Sequence, residues 1–155
     1  MFGFLAGGKV DIFPEKTNFK YGETINGKAV LDLKNAKKAR GLYVVLIAER
    51  TSTSMGSKGT KTSKQRLVDL IIPIDGEKEY PAGKQEYNFS IQIPQENKVQ
   101  IEGNVGAAIN MLQSIGEMFS PIKWYLEVKL DIAGGVDIRK QIQISVIRAN
   151  NTGPL

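Results

Sequence analysis

The chain contains no cysteine and no histidine. Without cysteine there is no disulfide, no thiol nucleophile and no thiolate metal ligand. Without histidine there is no imidazole base, no Ser-His-Asp triad and hardly any zinc site. An absence of cysteine also suits a reducing compartment. No apolar run approaches the roughly 18–20 residues of a membrane span. The apolar start, Met1 to Gly8, is too short and lacks the basic flank of a signal peptide. These features predict a cytoplasmic protein. Acid is in deficit, with 16 Asp and Glu against 21 Lys and Arg and a formal net charge of +5. That excess favours solubility and attracts anionic partners. An enzyme would have to run on Asp, Glu, Lys, Tyr or Ser. Asp69 and Glu127 are carboxylates that two strands could bring together, but nothing fixes their separation. Asp32, Asp131 and Asp137 have no metal-ligand spacing. The expectation is a non-enzyme without cofactor or metal.

What the chain does have is alternation. Even positions from Ile122 to Ile132 are apolar (Ile122, Trp124, Leu126, Val128, Leu130, Ile132), with mostly polar residues between them. After Gly134-Gly135 the even positions continue as Val136, Ile138, Lys140, Ile142, Ile144 and Val146. Period-two patterning of this length predicts two long strands with one buried face each. Residues directly opposite in an antiparallel pair share a face. A three-residue loop, Ala133-Gly134-Gly135, therefore pairs Ile132 with Val136, Leu130 with Ile138 and Trp124 with Ile144. Gly135 is expected to supply the positive φ of the last loop residue. Lys140 breaks the inward phase, either at a sheet rim or at a bulge.

At 155 residues the chain is expected to be one domain, large enough to need no covalent staple. Shorter strands are expected at 9–13, 28–33, 41–49, 65–74 and 86–93. The 41–49 stretch, apolar on both faces, should be central. In the 86–93 strand Tyr87, Phe89, Ile91 and Ile93 should face inward. Turns or loops are expected at 17–23, 34–40 and 77–84. A mobile Ser/Thr/Gly/Lys loop is expected at 51–64. From Asn104 to Phe119 the apolar period becomes helical: Val105, Ile109, Leu112, Ile115 and Phe119 form a stripe widened by Ala107, Met111 and Met118. Asn104 is a suitable N-cap and Pro121 bars continuation. About seven strands and one late helix predict an all-β, immunoglobulin-like β-sandwich with an inserted helix.

Three segments resemble a known family in order and spacing. Residues 21–30 (YGETINGKAV) resemble the "pGe.i.G.v" segment near the start of arrestin-like N-terminal domains. Residues 39–44 (ARGLYV) resemble the "v.gl.v.l" strand that follows it. Residues 81–94, from Pro81-Ala82-Gly83-Lys84 to Phe89-Ser90-Ile91-Gln92-Ile93-Pro94, resemble its "l.aG...f.F.f.lP". The terminal hairpin resembles the family's last strands, so the likeness covers most of residues 9–148. It implies an arrestin-type sandwich and a non-enzymatic adaptor or scaffold binding protein partners. Members of this group usually carry two tandem sandwiches, whereas this chain has length for one. The 104–119 segment looks like an insertion. The buried Asp/Arg cluster of visual-type arrestins has no counterpart that the sequence places.

The candidate contact residues are basic or methionine. Lys58, Lys61, Lys64 and Arg66 follow one another with no acid from Thr51 to Arg66, which suits an acidic protein partner or simply a solvated loop. A phosphate-binding loop does not fit, because Lys61-Thr62 follows Thr60 and no helix follows. Nucleic acid is not expected, because Tyr43 and Tyr125 lie outside the basic clusters. Met111 and Met118 lie at the edge of the helical stripe. They suit contact with a second copy in a homodimer, with another partner or with a membrane surface; the alternative is a helix covered within its own chain. The alternative function is a peripheral membrane module that binds anionic lipid through Met1 to Leu5, the helix and the basic loop.

Overall fold

Alternating apolar residues make strands here because each strand buries one face. A computed structural model of the chain describes residues 7–56, 59–96 and 122–148. Among them run nine strands: β1 (Gly8–Pro14), β2 (Asn18–Lys20), β3 (Thr24–Leu33), β4 (Lys37–Gly56), β5 (Gly59–Asp75), β6 (Lys78–Tyr80), β7 (Gly83–Gln92), β8 (Ile122–Ile132) and β9 (Ile138–Ile147). They form two open sheets. One has the order β1-β3-β7; the other runs β2-β9-β8-β4-β5, with β6 paired to β4. Every pairing is antiparallel except that of β2 with β9. The expected helix at 104–119, with Met111 and Met118, lies outside the described residues, as do Met1 to Leu5 and Lys58.

One core joins the sheets. The small sheet contributes Val10, Ile12, Ile25, Ala29, Leu31, Leu33, Phe89 and Ile91. The large sheet contributes Leu42, Val44, Leu46, Ala48, Trp124, Leu126, Val128 and Leu130. Phe89, Ile91 and Ile93 are buried and Tyr87 partly so, as the alternation predicted. The 41–49 stretch is central, with β8 on one side of β4 and β5 on the other. Its second face is buried too, at Val45 and Ile47.

The strand count exceeds seven because three expected turns hold short strands or strand ends. Phe19 in β2 is only 1% exposed, and this anchor draws the 17–23 segment alongside β9. β4 begins at Lys37, inside the expected 34–40 turn, because β6 pairs with Lys37 to Ala39. β6 carries Tyr80, fully buried, whose hydroxyl donates to the Gly76 carbonyl at 2.7 Å. Burial raises the Tyr80 phenol pKa, and the nearby Asp75 carboxylate adds to the rise.

The terminal hairpin keeps its predicted register, Trp124 opposite Ile144 and Leu130 opposite Ile138. Lys140 pairs in that regular ladder and is exposed, so it lies at a rim and not at a bulge. The loop differs from expectation. Ile132 does not pair with Val136, which is 76% exposed; its N–H instead donates to Asp137 Oδ1 at 3.1 Å. Gly135 N–H donates to the Ile132 carbonyl at 3.4 Å, closing a turn around Ala133 and Gly134, and the positive φ (70°) falls on Gly134. A side chain at Gly134 meets open space but must adopt a left-handed backbone; one at Gly135 meets the Ile132 side chain, Cγ2 at 3.1 Å and Cβ at 3.9 Å. Gly134→Val should therefore destabilise by about 1–2 kcal/mol, more than Gly135→Val. Thermal melts of the two variants check this, and the opposite order would sink the turn assignment.

Candidate partner-binding ribbon

The basic segment is a ribbon of paired strands. This corrects the expected loop at 51–64. β4 and β5 stay in register from Glu49 opposite Arg66 to Gly56 opposite Gly59. Threonines at alternate positions explain why: Thr51, Thr53, Thr60 and Thr62 are β-branched and suited to a pleated ribbon. Thr53 stands opposite Thr62, and Ser52 opposite Ser63 with their Oγ atoms 3.1 Å apart. Small polar cross-strand pairs of this kind support a hairpin without an apolar face. A reading based on low complexity saw only solvated residues.

β8 begins at Ile122, opposite Arg50, so the ribbon runs on beyond the described part of β8. Pleating sets the orientation of its charges. Lys64, opposite Thr51, lies on the face that holds Thr53 and Thr62. Lys61 lies on the other face with Ser52 and Ser63. Both lysines are exposed. The sequence grouped them with Arg66; the ladder sets Arg66 on the face of Lys64, two residues further along, and Lys61 on the other face. Arg66 sits at the ribbon root, where Nη2 contacts Glu49 Oε2 at 3.2 Å and Nη1 contacts Asp69 Oδ2 at 3.4 Å. The hydrogen bond to Glu49 raises the guanidinium pKa further. Sequence reading missed these partners because Glu49 is reached across the ladder and Asp69 over a register shift at Ala48/Glu49. Asp69 and Glu127, the two carboxylates that strands could bring together, each have a basic partner of their own. Asp69 is held by Arg66, and Glu127, 8% exposed, lies 4.0 Å from Arg139.

The ribbon root adjoins an aromatic closure. The Tyr21 ring meets Trp124 edge-on at 5.7 Å, Gly22 N–H donates to the Pro94 carbonyl, and Arg148 pairs with Glu96 at 2.6 Å. Burial, then the Glu96 charge, raises the Tyr21 phenol pKa. On the outer face of the small sheet a groove of about 530 Å³ runs past Phe13, Asn26, Lys28, Asn88 and Ser90. Its only sequence signal was Phe13 in the outward phase of β1. Among the described residues no helix is long and apolar enough to cross a membrane, and no cluster of acidic side chains could hold a metal ion.

Two facing open sheets with this strand order define an arrestin-like fold. The profile of the arrestin (or S-antigen) N-terminal domain family matches residues 9–151, and the chain belongs to that family. Among solved structures it is similar to Spo0M, the sporulation control protein of Bacillus subtilis. The TM-score is 0.63 and the identity 16%, over 92% of this chain and 50% of that one. The chain thus spans about half the length of that protein, and likeness at this identity concerns the fold alone. No curated protein matches the chain.

Proposed function

We propose that the protein is a non-enzymatic cytoplasmic adaptor that binds an acidic protein partner through the β4–β5 ribbon. On this reading the two sheets form an immunoglobulin-like, arrestin-type sandwich, and the 104–119 segment is a helix inserted between β7 and β8. The observation that carries the proposal is the ribbon itself. It holds Lys61 and Lys64, exposed on opposite faces, on paired strands with no acid between Thr51 and Gln65. Paired strands hold charges in place, so less ordering is left for binding than a loose loop would require. Membership of the arrestin N-terminal family supports a protein-interaction role.

Changing Lys58, Lys61 and Lys64 together to Glu should lower partner capture from native lysate about tenfold or more at low salt. Wild type and variant should converge as salt rises. Quantitative mass spectrometry of the captured proteins reads this. Equal capture at low salt would reduce the ribbon to a spacer. The lipid-binding alternative draws on the same lysines and on Met1 to Leu5. Co-sedimentation with anionic liposomes separates the two, since an adaptor stays in the supernatant.

A further inference from the structure

We infer that the outer edge of β5 between Gly59 and Arg66 receives an extended acidic segment of the partner by strand addition. This rests on the ribbon as the acidic-partner site and adds the mode of recognition and the spacing of the charges. β5 is the last strand of its sheet among the described residues, so its outward N–H and C=O groups form an edge to which another chain can add. The two halves of that edge differ. From Leu67 onward the ladder is interrupted by register shifts at Ala48/Glu49 and Leu42/Tyr43, and Pro73 lacks an N–H. From Gly59 to Arg66 the register is regular, there is no proline, and every residue is exposed. Eight residues of strand offer about 26 Å of edge.

The lysines set the complement. A strand laid along this edge alternates its own side chains between the two faces. Lys61 and Lys64 are three residues apart and point to opposite faces. Carboxylates three apart on the incoming strand therefore meet one lysine on each face. Carboxylates two apart share a face and meet only one. Arg66, already held by Glu49 and Asp69, marks the end of the usable edge.

Fluorescein-labelled eight-residue Thr/Val peptides test this by anisotropy against the full chain. One carries Glu at positions three and six, another at three and five. Two further copies of the first are N-methylated at alternate amides, one copy for each phase. The three-and-six peptide should bind about fivefold tighter than the three-and-five peptide. Methylation in one phase should weaken it about tenfold or more and in the other much less. Lys61→Glu or Lys64→Glu should each abolish the spacing preference. Equal binding of the two spacings, or indifference to both methylation phases, overturns strand addition while leaving an acidic partner in place. If no acidic peptide distinguishes wild type from the Lys61→Glu/Lys64→Glu double variant, the acidic-partner reading falls as well.

Discussion

Trp124→Ala should destabilise the protein by about 3–5 kcal/mol, the range for removing a large buried aromatic ring. The ring is only 2% exposed. It sits on the central strand pair, opposite Ala48 on β4 and Ile144 on β9, and the small Ala48 leaves room for the indole. Tyr21 seals it edge-on at 5.7 Å, so truncation also strips the Tyr21 ring of its neighbour. The space left is bounded by strands hydrogen-bonded on both sides and cannot easily collapse. For a domain of this size each kcal/mol moves the melting temperature by about 2–4 °C. The variant should therefore melt about 6–20 °C lower by far-UV circular dichroism. Trp124 is the chain's sole tryptophan, so wild-type emission reports this site directly. A loss below about 1 kcal/mol would mean that the ring does not fill the space between the sheets.

Trp124 also shows what could be read from the residues alone. Where a strand buries one face, period-two alternation records the packing directly. The register of β8 on β9, the inward set of β7 and the central place of β4 all followed from it. Short strands carry no such period. β2 is three residues long and depends on Phe19 meeting a strand more than a hundred positions away, which no local pattern encodes. The hairpin glycine was misassigned for a similar reason. Parity fixes the pairing beyond a loop, but the positive φ depends on which carbonyl the turn closes on, here Ile132 with Gly135.

The ribbon marks the other limit. None of its described side chains is buried from Thr51 to Arg66, so hydrophobic periodicity is silent, and composition alone suggested a loop. The usable signal was threonine at every second position on both arms, a pattern of propensity and not of burial. The charges were visible but not their grouping. Four basic residues in sequence became two lysines on opposite faces, an arginine neutralised at the root and Lys58 outside the described residues. A site built from side chains on paired strands depends on register, and register across a polar ribbon is weakly written in sequence.

Gly27→Ala should cost about 1–3 kcal/mol, and Gly27→Val more, through overpacking. Gly27 is not among the positive-φ glycines, so the demand on it is for space. It lies on β3 in phase with Ile25 and Ala29, between Pro14 of β1 and Phe89 of β7. A Cβ there would stand 2.8 Å from Phe89 Cζ, 2.8 Å from the Phe13 carbonyl oxygen and 2.9 Å from Pro14 Cα. The ring can turn aside, but the two backbone atoms of β1 can move only with the strand. Gly27 and Phe89 belong to two of the segments by which the chain resembles its family, so that resemblance records a packing contact between sheet neighbours. Phe89→Leu should consequently relieve part of the cost of Gly27→Ala. Denaturant melts of the two single variants and the double should reveal a favourable coupling of about 0.5 kcal/mol or more. Strictly additive losses would show that the ring is not what keeps this position glycine.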